Sequence, residues 1–330
     1  MVITKKKNET NKVAEKKQLI DNITQEIHKK VIGQEELIHV LLIWLLTHGH
    51  ILLEWVPGIA KTLTIDSLAK SLHGNFKRIQ FTPDLLPSDL IGTEIYNQWT
   101  QKFEVKKWPI FTNFLLADEI NRASSKVQSA LLEWMAEGQV TIWEESFILE
   151  SPFLVLATQN PIEQTWTYKL PEAQLDRFML KVIVAYPQKE DEKEIMRRIY
   201  EIENTTIKQV LKKKDLQDMQ NLVKEIHVSD TILDYINDIV FASRSPEEYE
   251  LDDLAKYISY GFSPRGSLAL LKASQAEAFL NGRDFVLPED IKRVAPYALT
   301  HRLVTNYEAI AENISNEHIV ERILDTIPIK

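Results

Sequence analysis

The chain of 330 residues has the length of about two domains, and 39 basic against 48 acidic side chains give it a formal net charge of −9. That balance argues against a surface built throughout to grip nucleic acid, which needs clustered positive charge. With 44% hydrophobic and 26% charged residues the chain is an ordinary globular sequence, and without cysteine it has neither a disulfide nor a thiolate-ligated metal.

The first 17 residues hold six lysines against Glu9 and Glu15 and almost no apolar periodicity. They read as a flexible basic tail. No signal-peptide pattern precedes them, which favours the cytoplasm. The longest apolar run, Leu37 to Leu46, is interrupted by His39. It is far short of the ~20 residues of a membrane span and predicts a buried core helix.

Residues 18–187 alternate between short apolar runs and helical patterns. His50–Glu54, Lys77–Phe81, Phe114–Ala117, Phe153–Ala157 and Leu180–Val184 read as buried strands, with helices over Lys61–Leu72 and Ser125–Glu137. Alternation of this kind predicts an α/β core, a parallel sheet whose strand carboxyl ends share one ligand-binding edge. Glu94–Phe111 and Gln139–Leu149 fit no βαβ unit and read as two β-hairpin insertions, the second turning at Trp143-Glu144-Glu145-Ser146. From about Gln188 helical spacing takes over: Leu216, Met219, Leu222, Val223 and Ile226 share one face, while Lys212–Lys214 form a hydrophilic connection. Residues 188–330 therefore predict a smaller all-α domain.

The first strand runs into Trp55-Val56-Pro57-Gly58-Ile59-Ala60-Lys61-Thr62 and then a helix. Strand, loop, Lys-Thr, helix is the layout of a phosphate-binding loop, in which backbone N–H groups and the helix N-terminus face the phosphates. Lys61 would reach the β/γ-phosphates and the Thr62 hydroxyl would ligate Mg²⁺. Trp55 and Ala60 occupy the two positions where the general pattern has glycine. The third strand ends in Asp118-Glu119. Paired carboxylates there suit Asp118 for the Mg²⁺ shell and Glu119 as general base for an attacking water. The fourth ends in Thr158-Gln159-Asn160-Pro161, where Asn160 would orient water or sense the γ-phosphate. Arg177, after Asp176, is a candidate arginine finger for a neighbouring subunit, the bland alternative being a salt bridge to Asp176 or another acid. Arg265, in Ser263-Pro264-Arg265, would span a domain crevice to the γ-phosphate. Arg122 is a weaker candidate for an intersubunit contact.

Together these strings resemble the AAA+ ATPases, and within them the MoxR family. Val31-Ile32-Gly33-Gln34-Glu35, Val56 to Thr62, Leu116 to Arg122, Ala157 to Pro161, Leu170 to Phe178, Gly261 to Arg265 and Leu287 to Ile291 carry the resemblance, in order, over roughly residues 18–330. The resemblance implies a Rossmann-like ATPase core with two hairpin insertions and a helical lid, ATP and Mg²⁺ in the crevice between them, and a hexameric ring. It further implies chaperone-like maturation of protein complexes, a protein client and a partner with a von Willebrand factor A domain. Ile32 and Gly33 match the adenine-side segment. Pro57, Gly58, Ile59, Ala60, Lys61 and Thr62 match Walker A, and Asp118 and Glu119 match Walker B. Asn160 matches sensor 1, Arg177 the arginine finger and Arg265 sensor 2.

The family pattern leads one to expect glycine at 55, 108, 143 and 166, where this chain has tryptophan, and only 9 glycines occur in all against roughly 23 for an average chain of this length. Two alternative functions follow. In one, Trp55 obstructs the phosphates and the chain is a nucleotide-binding-impaired scaffold. In the other, the ring remodels DNA, which the acidic balance disfavours.

Overall fold

Apolar runs of about five residues are too short for helices and become strands when both of their faces are covered. A computed structural model describes residues 2–55, 61–97, 102–107, 109–142, 145–160 and 167–329, with 2–11, 55, 61, 62, 93–97 and 102–107 described by their backbone alone. Helices α1 (Val2–His28) and α2 (Glu35–Thr47) lead into strand β1 (Ile51–Trp55) and helix α3 (Lys61–Ser71). Strand β2 (Phe76–Gln80) and the short α4 (Ser88–Ile91) precede a hairpin of β3 (Gly92–Asn97) and β4 (Lys102–Lys107). Strand β5 (Phe114–Asp118) and α5 (Ser125–Glu137) precede a second hairpin, β6 (Gln139–Ile142) and β7 (Glu145–Ile148). Strand β8 (Leu154–Gln159), the short α6 (Glu172–Leu175) and β9 (Leu180–Val184) complete the sheet.

The sheet order is β2-β5-β8-β1-β9, every neighbouring pair parallel. Alternate residues feed two apolar layers. Ile51, Leu53, Leu116 and Leu156 face the side covered by α1, α2 and α3, and Leu52, Leu115, Ala117, Val155 and Ala157 face α5. Helix α2 is buried almost all round, as its composition predicts. Its one polar interruption, His39, reaches Glu277 Oε2 at 2.6 Å. The two insertions are antiparallel hairpins, as expected. Trp108 and the turn residues Trp143 and Glu144 lie outside the described residues.

The tail expected over residues 1–17 is corrected where side chains are described. Residues 12–17 continue α1, with Val13 buried in register with Ile20, Ile23 and Ile27, and Lys16 bonds Asp215 at 2.9 Å. Spacings of seven, three and four residues make one helical stripe, which the lysine count hid.

Beyond β9 come α7 (Lys189–Asn204), α8 (Lys213–Lys224), α9 (Asp230–Ala242), α10 (Asp252–Ala255), strand β10 (Ile258–Tyr260), α11 (Pro264–Leu280), α12 (Pro288–Leu299), strand β11 (Val304–Thr305), α13 (Tyr307–Ala311) and α14 (Asn316–Thr326). The lid is helical as expected, except that β10 and β11 form a small antiparallel ladder. Lys213 and Lys214 open α8 instead of linking two helices, and Lys213 pairs with Glu150 of the core. No described helix is long and apolar enough to cross a membrane.

His50, at the amino end of β1, ties this sheet to α5. Its Nδ1 accepts from Val155 N–H and its Nε2 faces the Met135 carbonyl, each at 3.0 Å. Burial pushes its pKa down to about 4, against a smaller upward pull from that carbonyl. Below pH 6.5 the unfolded chain takes up a proton that the folded chain refuses until about pH 4, so stability falls with pH across that window. From this group alone, urea unfolding at pH 5 is expected to show about 2 kcal/mol less stability than at pH 7. The difference is expected to shrink by that amount in His50→Gln.

Candidate functional site at the carboxyl edge of the sheet

Parallel strands bring five carboxyl ends to one edge, and the order of strands sets the order of side chains along it. Beside β9 lies the segment with Ile32 and Gly33. Gln34 Nε2 donates to the Ala185 carbonyl at 3.2 Å. Gly33 has φ +68°, a backbone shape that favours glycine, and a Cβ there would make the Asp191 side chain shift.

Next comes β1. Trp55 pairs with Val184 in the β1–β9 ladder, which is extended backbone that any residue adopts. Pro57, Gly58, Ile59 and Ala60 lie outside the described residues, as does Trp166. Lys61 and Thr62 are the first two residues of α3, directly beyond that loop.

Asn160 follows the end of β8, between β1 and β5, and is buried. Its carbonyl accepts from Asn121 Nδ2 at 3.1 Å. Asp118 ends β5 with 2% of its surface exposed. The Thr158 hydroxyl donates to Asp118 Oδ1 at 2.7 Å and accepts from Glu119 N–H at 2.8 Å, so one side chain of β8 holds both acids. Arg78 of β2 donates to Asp118 Oδ2 at 2.5 Å. Glu119 has φ +59°, a left-handed backbone that costs a non-glycine residue roughly 1–2 kcal/mol. Its carboxylate lies at the sheet edge, where Gln80 Nε2 donates to Oε2 at 2.6 Å and Arg122 Nε stands 2.9 Å from the same oxygen.

The structure thus brings together Asp118, Glu119 and Asn160, with β1 leading toward Lys61 and Thr62. Sequence reasoning missed Arg78, Gln80, Asn121 and Thr158, and did not foresee that Arg122 meets Glu119. The polar alternation of Arg78 and Gln80 about Ile79 was a usable signal. That β2 neighbours β5 was not readable.

Arg177 and Arg265 lie elsewhere. Met179, just before β9, donates to the His50 carbonyl at 2.8 Å, which sets this segment at the amino edge of the sheet. Arg177 is exposed there and donates to the Leu132 carbonyl at 2.9 Å. The salt bridge with Asp176 belongs instead to Arg265, at 3.3 Å, and to Arg302, at 3.0 Å. The expectation that Arg265 spans a crevice toward Asp118 in its own subunit is therefore corrected. Asp176 holds it at the opposite edge, a five-residue strand or roughly 16 Å away.

Thr158→Val keeps the volume and removes both bonds. It is expected to destabilise the fold by about 1–3 kcal/mol in a denaturant titration, with Thr158→Ser retaining most of the stability.

Residues 50–180 match the ATPase family associated with various cellular activities (AAA), and residues 253–323 match the AAA lid domain. The chain is 46% identical over 302 residues to Chaperone MoxR1 of Mycobacterium tuberculosis, a span covering 92% of this chain and 80% of that one. It is 31% identical over 321 residues to Protein MoxR of Paracoccus denitrificans, covering 91% and 93%. A crystal structure from Cytophaga hutchinsonii superposes with a TM-score of 0.91 at 49% identity, over 100% of this chain and 99% of that one. With the parallel-sheet core and helical lid already in view, these similarities make the chain a member of the MoxR family of AAA+ ATPases.

Proposed function

We propose that the chain hydrolyses ATP with Mg²⁺ at the carboxyl edge of the sheet and uses the energy to remodel or mature protein complexes. The observation that carries this reading is the paired acids Asp118 and Glu119, held by Thr158 one strand away from the β1–α3 junction. The working units are the core over 18–187 and the lid over 188–330. The phosphates lie against residues 57–62, with Ile32 and Gly33 toward the adenine.

The oxygen donors of Asp118 and Thr62 suit a hard divalent cation, which keeps much of its water. No group of three His, Asp or Glu that could hold a metal ion gathers among the described residues. Held by Asp118 and Thr62, Mg²⁺ would supply positive charge against the charge developing on the phosphates. Lys61 adds a positive charge on the phosphates. Glu119 accepts the proton of the attacking water once Gln80 and Arg122 release its carboxylate, and Asn160 orients that water. Arg177 serves the phosphates of an adjoining subunit in a ring, a hexamer by family resemblance, and Arg265 at the same edge joins it there.

A relative named as a chaperone supports a protein client, and a von Willebrand factor A domain partner and a cytoplasmic location complete the reading. The extended backbone at Trp55 supports nucleotide binding over the scaffold alternative, because the strand asks for no glycine there.

Glu119→Gln is expected to lower ATP hydrolysis by roughly 10²–10⁴-fold while retaining binding of a non-hydrolysable analogue. An unchanged rate in purified protein defeats the proposal. Titration of a labelled ATP analogue is expected to give micromolar binding. Binding recovered only in Trp55→Gly would favour the scaffold.

A further inference from the structure

Two guanidinium groups, of Arg265 and Arg302, meet one carboxylate where the core passes into β9, while that of Arg177 turns to the Leu132 carbonyl of α5. Asp176 has 18% of its side chain exposed. Its Oδ1 accepts from Arg302 Nε at 3.0 Å and its Oδ2 from Arg265 Nη1 at 3.3 Å. Ser263, the N-cap of α11, donates to both oxygens at 2.9 and 3.0 Å and accepts from Arg265 N–H at 3.1 Å. Arg177 is the next residue in the chain.

The two cations bound to Asp176 differ. The Arg302 side chain is 2% exposed and also donates to the carbonyls of Phe178 at 2.6 Å, Met179 at 3.1 Å and Ala298. It is a fixed anchor. The Arg265 side chain is 52% exposed and reaches Asp176 through one long bond. It is held but free to turn outward. Burial pushes the Arg302 guanidinium down to about 10, Asp176 opposes this, and Arg265 adds to it by like-charge repulsion. Without the carboxylate, Arg302 would repel Arg265 from this edge.

We propose that Asp176 is a positioning residue that sets Arg177 and Arg265 side by side for the phosphates bound in an adjoining subunit. This rests on the reading of the chain as a ring-forming ATPase. The anchor fixes the carboxylate, the carboxylate fixes the α11 N-terminus through Ser263, and the backbone of Asp176 carries Arg177. Movement of the lid helix would then shift both arginines together.

The test is subunit mixing. Asp176→Asn is expected to lower hydrolysis roughly 10- to 100-fold, the scale of a misplaced catalytic group, with analogue binding unchanged. Mixing it with inactive Glu119→Gln subunits, which keep every arginine, is expected to raise hydrolysis several-fold above the sum of the two alone. A purely local packing role would give no such recovery. Unchanged hydrolysis in the variant, or no recovery on mixing, overturns the proposal. If circular dichroism shows Asp176→Asn unfolded, Ser263→Ala carries the comparison, since it leaves the Asp176–Arg302 pair whole. There a several-fold loss with recovery supports the proposal, and failure of either overturns it. A wild-type chain without hydrolysis overturns the ATPase reading itself, and the role of Asp176 with it.

Discussion

A carboxylate buried in a protein interior is tolerated only where donors replace the water it loses. Asp118 meets that condition through the Thr158 hydroxyl and the Arg78 guanidinium, drawn from the strands on either side. Much of the local architecture follows from it. The threonine that satisfies Asp118 also receives the N–H of Glu119, so the acid pair is fixed as a unit and the chain leaves β5 through a left-handed residue. Removing one donor would leave an incompletely paired buried charge at the carboxyl end of β5.

The uniform direction of the strands then divides the labour of the molecule. At the carboxyl edge stand the acids, Asn160 and the entry to α3. At the amino edge stand Asp176 and its arginines. One edge gathers carboxylates, and the other offers cations outward. A single subunit therefore presents its paired acids and its exposed guanidinium groups at opposite edges of one sheet. The lid takes part through α11, whose capped N-terminus is tied to the second edge by Ser263.

Much of the fold was legible along the chain. The five strand runs and the second hairpin were found within a residue or two, and the first hairpin within four, because strands buried on both faces leave unbroken apolar runs and the hairpins interrupt them with polar alternation. The helix Ser125–Glu137 was found at its observed bounds. The tail was misjudged because a lysine-rich stretch hid one buried valine per two turns. The β10–β11 ladder was missed because two or three residues carry no period. Of the site, Asp118, Glu119 and Asn160 were readable as polar residues ending apolar strands. The alternation of Arg78 and Gln80 was visible, but their place beside the acids, like that of Thr158, was not, since it depends on which strand lies beside which.

Local order in the chain determined the elements, the succession of a phosphate-type loop and an acid pair, and the helical character of the second half. Hydrophobic period and turn chemistry act over a few residues and are written in the string itself. Only the tertiary structure decided that β8 lies between β1 and β5, that Thr158 braces both acids, and that Arg265 sits with Asp176 instead of facing Asp118. Those facts depend on strand order and on the packing of α11 and α12. The contacts that establish them join residues 39 to 126 positions apart, a separation that no local pattern encodes.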